Sequence, residues 1–363
     1  MTDGLEILPV RGIGDITAGD DLAQLITAAA PWIVDGDVLV VTSKIVSKAE
    51  GRLVEVPADG PERDAARAET LAAETARVVA RRGPTTIVQT RHGFVLAAAG
   101  IDASNVDKTH LVLLPDDPDA SARRLRADLR TRGLDVGVIV TDTMGWAWRN
   151  GLTDVALGAA GIEPFRDHRG ETDPYGNELQ ITQMAVIDEL AAAGELVKGK
   201  CDQVPVAVVR GYPGPRDGEG DGPGAVALLR DAASDMFSMG TAEARAAGLR
   251  DAALLPDGSQ LALPGGPVDP DAVQRACDAV AALLAPGTQI APAGILRGNG
   301  ATAALHIASP GNSPAAFMRL GADAHRLRVA LAAEGVLSVV LPHDDGIRLD
   351  LSAPSPSAET PGS

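Results

Sequence analysis

The chain has 363 residues, 45 % of them hydrophobic and 22 % charged, with a formal net charge of −17. That length can bury a large core, while the acidic balance argues against sequence-independent nucleic-acid binding, which sets Lys and Arg against phosphates. No apolar run reaches the roughly 18 residues of a membrane span, the opening MTDGLEILPV lacks a signal-peptide pattern, and the widely spaced Cys201 and Cys277 frame neither disulfides nor zinc, so a cytoplasmic protein is expected.

Residues 5–10 read as a strand that runs into Arg11-Gly12-Ile13-Gly14, and Asp20-Asp21 start an amphipathic helix through Leu22, Leu25, Ile26 and Ala29. Gly12 and Gly14 open a dinucleotide fingerprint whose third glycine is out of place, so the loop is read only as one that lets a ligand approach the backbone. After the turn Asp35-Gly36-Asp37, the apolar run Val38 to Val41 is a strand that ends at Thr42-Ser43-Lys44, with Ser47 and Lys48 next. Its hydroxyls and lysines suit phosphate oxygens, although Lys44 and Lys48, one helical turn apart, fit a solvated face equally well. Residues 61–82 read as one charged, Ala-rich helix, and Thr85–Thr90 and Gly93–Ala99 as two strands, the second leading into Asp102-Ala103-Ser104-Asn105. A strand at 111–114 and an Arg-rich helix capped by Asp116 to Asp119 follow. They lead to VGVIVTDTMGWAWRNG (136–151), a buried strand that delivers Asp142 and Thr143 beside Trp146 and Trp148.

Beyond the small-residue stretch GLTDVALGAAG, a helix with apolar positions Leu179, Met184, Ile187, Leu190 and Leu196 ends at Lys198-Gly199-Lys200. Residues 194–201 nearly spell a phosphate-binding loop, but they close a helix instead of opening one, so Gly199 reads as a C-cap with lysines on the helix dipole. A strand at 204–209 and a Gly/Pro-rich loop at 213–224 precede helical patterning over 228–248. Farther on, Asp269 caps a helix with Val273, Ala276, Val280 and Leu283 inward, a second helix spans 318–334, a strand spans 336–341, and 352–363 read as a disordered tail.

Two strand-end aspartates, Asp102 and Asp142, with the Thr143 hydroxyl, are oxygen donors suited to Mg²⁺ or Mn²⁺. With Ser43 and Lys48 they make a metal-nucleotide site fit for phosphoryl transfer, or else they are caps and turn residues. The six histidines are scattered and read as surface or structural residues, and no His/Cys cluster offers a softer metal a home.

The blocks LEILPVRGIG, DGDVLVVTSKIVSKAEGR, AAAGIDASNV, LLPDDPDASARRLR, VTDTMGWAWRNG, DPYGNELQITQMAVIDELAAAGELVKGK and VPVAVVRG, in this order, resemble the coenzyme F420-0:L-glutamate ligase family, also called coenzyme F420 gamma-glutamyl ligase. The likeness is to the amino-terminal ligase domain of the actinobacterial bifunctional enzyme. It implies an α+β, mixed-sheet fold unlike the Rossmann type, and an intertwined homodimer. It also implies a GTP-dependent enzyme that phosphorylates the acceptor carboxylate of coenzyme F420-0, joins L-glutamate to it through the acyl phosphate, and extends it by gamma linkages. Carried over by motif, Asp102 and Asp142 would hold one Mg²⁺ or Mn²⁺ and Thr143 a second, with K⁺ assisting, and Ile13, Gly14, Asp15, Ile16, Ser43, Lys48 and Asn105 would contact GTP. The implied division is a ligase domain over 1–248, a shortened α/β part over 249–351 that faintly resembles a nitroreductase remnant and is not expected to bind FMN, and the tail. Trp146 stands where relatives carry a smaller or basic residue. An amide ligase with another acceptor, or a non-catalytic nucleotide-binding regulator, fits the same residues.

Overall fold

The computed structural model describes residues 4–104, 106–212, 220–231, 234–255, 263–295, 300–309 and 311–354. Asn105, residues 213–219 of the expected loop and residues 355–363 of the expected tail lie outside the described residues. In chain order the elements are β1 (Glu6–Val10), α1 (Leu22–Ala29), β2 (Val38–Thr42), α2 (Ser43–Ala49), β3 (Leu53–Glu55), α3 (Gly60–Glu74), β4 (Thr75–Arg82), β5 (Thr85–Thr90), β6 (Val95–Ala97), β7 (His110–Val112), α4 (Pro118–Thr131), β8 (Gly137–Gly145), β9 (Leu152–Ala160), β10 (Arg166–Asp167), β11 (Gln183–Met184), α5 (Val186–Lys198), β12 (Val206–Arg210), α6 (Thr241–Ala253), α7 (Pro270–Ala281), β13 (Gln289–Pro292), β14 (Ala303–Ala308), α8 (Pro314–Ala333), β15 (Leu337–His343) and β16 (Gly346–Ser352). The chain divides into two compact units, Met1–Ala244 and Arg245–Ser363.

The first unit is mixed α+β around a five-stranded sheet of order β1-β12-β2-β8-β9, in which only β2 and β8 run parallel. Strand alternation sends Leu39, Val41, Val138 and Val140 to one face, into a core shared with Ile26 of α1, Val46 of α2 and Leu129 of α4. Val38, Val40 and Ile139 point the other way, toward Ile187, Leu190 and Ala191 of α5. Burial on both faces is why these strands read as continuous apolar runs. A second sheet, β4-β5-β6, and the ribbon β3-β7 flank this core.

Several expectations change. The helix expected over 61–82 ends at Glu74, and Thr75–Arg82 is β4 instead, because β-branched Thr75, Val78 and Val79 lie along β5 and strand pairing overrides helical composition. The small-residue stretch after Asn150 is β9, against which α4 and α5 both pack, leaving room for alanine and glycine. The helix expected from Leu179 starts only at Val186, and the one expected over 228–248 is a 3-10 turn at Ala225–Leu228 followed, after a break, by α6.

In the second unit an antiparallel sheet, β13-β14-β16-β15, lays Leu305, Ile307, Leu349 and Leu351 against α7 and α8. Asp269 caps α7 as expected, but Leu283, read as inward, is exposed just beyond its end. Ser352 completes β16 and Ala353 bridges Gly266, so the ordered chain continues past the expected start of the tail at 352. Among the described residues no helix is long and apolar enough to cross a membrane.

Candidate functional site

The parallel pair β2 and β8 ends in register, Thr42 beside Thr141, so Ser43 and Asp142 emerge side by side. Ligands of open α/β sheets bind at such carboxyl ends. A bulge in the β8–β9 ladder falls between Val140 and Thr141, just before Asp142, a device that re-aims side chains beside active sites. Asp102 reaches the same place from another direction, its backbone bridged to Val112 at the end of β7. Ser43, Lys44, Ser47, Asp102 and Asp142 line one cleft.

Ala98, Ala99 and Gly100, separated from Asp102 by Ile101 alone, all have positive φ (51°, 55° and 69°). A left-handed alanine costs about 1–2 kcal/mol, and strain of this kind persists where the surroundings over-determine the backbone. Here Ala99 and Ile101 are packed into a core with Val88 and Leu111, which fixes the position of the carboxylate.

The two aspartates differ in charge environment. Lys44 Nζ lies 2.6 Å from Asp102 Oδ2, and Ser104 donates to the same carboxylate from its N–H (2.6 Å) and its hydroxyl (2.9 Å). Partial burial of Asp102 opposes ionisation, but the Lys44 and Ser104 hydrogen bonds outweigh it and hold the carboxyl below its usual range. Among the described residues Asp142 accepts only from the adjacent Thr143 N–H, at 2.8 Å. Burial pushes its carboxyl up to about 7; the Thr143 N–H pulls it back, while Asp154 and Asp102 add to the rise against Lys44.

Behind Asp142 lies a network that the sequence did not reveal. Asp154 of β9, 3 % exposed, accepts hydrogen bonds from the Thr141 hydroxyl (3.0 Å), the Thr143 hydroxyl (2.8 Å) and Lys198 Nζ (2.9 Å). Burial works against the charged form of Asp154, yet the Lys198 charge and hydrogen bond win and lower its pKa. Gly199 is the C-cap of α5 and Lys198 lies in its last turn, as expected, but Lys198 is 2 % exposed and turned inward to Asp154, whereas Lys200 donates to the Thr143 hydroxyl at 2.7 Å. The available signal was the stripe Ile187, Leu190, Ala191, Gly194, Lys198, which sets the lysine on the buried face of α5.

Of the other expected contacts, Ile13 and Ile16 are buried with Ile45 and Val46 of α2, leaving the backbone of the loop and exposed Gly14 and Asp15 to face a ligand. Lys48 lies one turn beyond Lys44 on α2. Ser47, one of the hydroxyls beside the β2 strand end but not among the expected nucleotide contacts, lines the cleft, and its buried hydroxyl has no hydrogen-bond partner among the described residues. A buried polar atom left unpaired calls for a ligand or water to satisfy it. On its other side Asp142 borders an apolar cavity of about 130 Å³ walled by Phe94, Leu96, Met144, Leu157 and Leu229. Trp146 and Trp148 take no part in either space; both are exposed, and Trp148 meets Phe237 edge-on with ring centroids 4.7 Å apart.

Oxygen donors dominate this constellation, and Asp142, half-buried among negative neighbours, has no ion-pair partner among the described residues, only the more distant charge of Lys44. Asp102 and Asp142 thus fit a hard divalent cation, whereas Thr143 lines the apolar cavity and not the cleft, its hydroxyl bonded to Asp154 and Lys200.

The sequence profile of the family described as F420-0:Gamma-glutamyl ligase matches residues 12–211. A coenzyme F420:L-glutamate ligase of Methanothermobacter thermautotrophicus is 39% identical over 227 residues, 58% of this chain and 90% of the relative. Proteins of the same name from Methanopyrus kandleri and Archaeoglobus fulgidus are 41% and 42% identical over 256 and 219 residues, or 64% and 57% of this chain and 97% and 88% of the relatives.

Proposed function

The chain belongs to the F420-0:gamma-glutamyl ligase family, and from that premise we propose that it joins L-glutamate to coenzyme F420-0 in an amide bond at the expense of GTP, then extends the product by gamma linkages. The observation that carries the reading is the convergence of Ser43, Lys44, Asp102 and Asp142 on one cleft at the ends of parallel strands. In the first step the γ-phosphoryl group of GTP passes to an acceptor carboxylate oxygen and GDP leaves. In the second the glutamate amine forms the C–N bond as the acyl–phosphate C–O bond breaks, releasing phosphate and a proton.

Within the cleft, the Ser43 and Ser47 hydroxyls and the Lys44 ammonium group bind phosphate oxygens, with Lys48, outside the cleft lining, and the backbone around Ile13, Gly14, Asp15 and Ile16 contacting the rest of the nucleotide. Asp102, Asp142 and Thr143 hold Mg²⁺ or Mn²⁺ in two sites. A cation of this kind, when bound, neutralises charge on the phosphates and orients them. Asp154 and Lys198 keep Thr143 and Asp142 in place, while the apolar cavity beside Asp142 keeps water from the acyl phosphate. A homodimer, with the exposed Trp148, Leu152 and Phe237 covered by the second copy, and a cytoplasmic location belong to the same proposal.

The test is to incubate the folded full-length chain with GTP, Mn²⁺, K⁺, L-glutamate and coenzyme F420-0. Glutamylated product and an equal amount of GDP are expected. GDP release only with a different acceptor would reassign the substrate, and absence of both products would overturn the reading.

A further inference from the structure

The second unit lies beyond the residues matched by the family profile, and its sheet carries a histidine pair that the ligase reading does not use. His306 on β14 is opposite Arg348 of β16, and His343 at the end of β15 is opposite Gly346. Partners in register share a face, and Arg348 and Gly346 are two residues apart on one strand, so both imidazoles project from the same face. That face is turned away from α7 and α8, since Leu305, Ile307 and Leu349 occupy the other. Gly346 has no side chain to separate the rings, which approach to 4.5 Å between centroids.

Asp345, in the two-residue turn between β15 and β16, completes the group. Its Oδ1 lies 2.7 Å from His343 Nδ1 and 2.9 Å from His306 Nε2. The turn is built, not loose: Ser309 N–H donates to the Asp345 carbonyl at 3.0 Å, and a Cβ at Gly346 would collide with the Ile307 carbonyl oxygen. His306 Nε2 is buried, and despite its closeness to the carboxylate it has no hydrogen bond of acceptable direction. The neighbouring Arg348 is neutralised by Asp350, 2.6 Å away, so its charge does not repel a cation.

We propose that His306, His343 and Asp345 form a transition-metal site that takes Zn²⁺ and pins β14 to the β15–β16 hairpin. One ligand atom from each residue lies within 4.8 Å of the others. Bonds of about 2.0–2.2 Å in a tetrahedron place ligands about 3.4 Å apart, so the exposed Asp345 carboxylate has only to withdraw slightly. Two imidazole nitrogens and a carboxylate select a borderline-soft ion, in contrast to the all-oxygen cleft of the first unit. The exposed side of Asp345 leaves the remaining coordination to water.

The experiment titrates Zn²⁺ into the metal-stripped full chain in excess Mg²⁺, by calorimetry, with Co²⁺ as an optical probe. One equivalent of Zn²⁺ is expected to bind tightly, to give ligand-field bands when Co²⁺ replaces it, and to raise the melting temperature. Binding should persist in the Asp102→Ala/Asp142→Ala variant and weaken at least about 100-fold in His343→Ala and in Asp345→Asn, because each removes a direct ligand. Asp345 is exposed, so Asp345→Asn tests the site even if His343→Ala fails to fold. Unchanged Zn²⁺ affinity in these variants, or loss of binding in the Asp102→Ala/Asp142→Ala variant, would overturn the proposal.

Discussion

Asp102 and Asp142 line one cleft and carry the same side chain, yet their surroundings drive them in opposite directions. The Asp102 region is half-open and supplies its own cation, Lys44, with two donors from Ser104, so the carboxylate is stable as it stands. The Asp142 region is closed, packed against a core and faced by two more carboxylates, so its charge is left for something else to balance. A cleft of this kind is half satisfied by the protein and half reserved for a ligand. The difference lies in neighbours, not in residue type.

The largest test acts on the network behind Asp142. Replacing Lys198 by Met strands the buried Asp154 without its partner, and a cost of about 3–5 kcal/mol is expected in a denaturant titration. Next, Asp142→Ala and Asp102→Ala should each lower metal-dependent GTP turnover by about 100-fold or more while leaving the melting temperature near that of the parent. If Asp142→Ala alone loses turnover, the two regions are not partners.

The pH dependence sharpens the contrast further. Because burial holds Asp142 near 7 in the metal-free protein, above its unfolded value, the folded state keeps a proton that the unfolded chain releases. Its contribution to stability is therefore favourable at low pH and lost as pH rises from the unfolded pKa through about 7. A cation must displace that proton, so the rise in melting temperature on adding Mn²⁺ should grow as pH passes from 6 to 8. A shift constant across that range would show that Asp142 is already ionised. Asp102, with its lowered pKa, should contribute no such step near neutrality.

Smaller effects follow. Ser47→Ala removes a hydroxyl that bonds nothing in the free protein, so it should spare stability and raise the KM for GTP by roughly 2- to 10-fold, the worth of one hydrogen bond. Ala98→Gly relieves a left-handed alanine and should change stability by less than about 1 kcal/mol, the gain set against extra freedom of the unfolded chain. A drop in turnover in that variant would show that the strained turn positions Asp102.

The positions of Ser43 and Asp142 were legible because central strands are apolar and then turn abruptly polar, although β8 does not stop there but runs on through Asp142 to Gly145 along β9. The caps Asp117 and Asp269 were legible for a similar reason, each standing directly before Pro at the start of a helix. What sequence spacing could not supply was partnership between distant segments. Thr75–Arg82 has the composition of a helix and becomes a strand only because β5 is beside it. Lys198 and Asp154 are 44 positions apart, and a lysine next to a C-cap glycine looks solvated until its helix face is known. His306 and His343 meet only across the register of β14, β16 and β15.

The bulge before Asp142 has one more consequence. Ala156 and Ala159, an odd number of residues apart on β9, both face α5, so the inserted Leu157 has shifted the alternation of the strand by one. Upstream of it Asp154 lies toward Lys198, and Leu157 itself joins Phe94 and Leu96 in a small separate core. The strand thus works as two phases spliced at a single residue. Removing Leu157 would make the ladder regular, with Ala156 next to Gly158 opposite Thr141 and Val140 and Asp154 still toward its lysine, and would abolish the bulge and the contact with Phe94 and Leu96. The extra residue is absorbed locally: both halves keep their faces against β8, and what it changes is the bend of the strand beside Asp142.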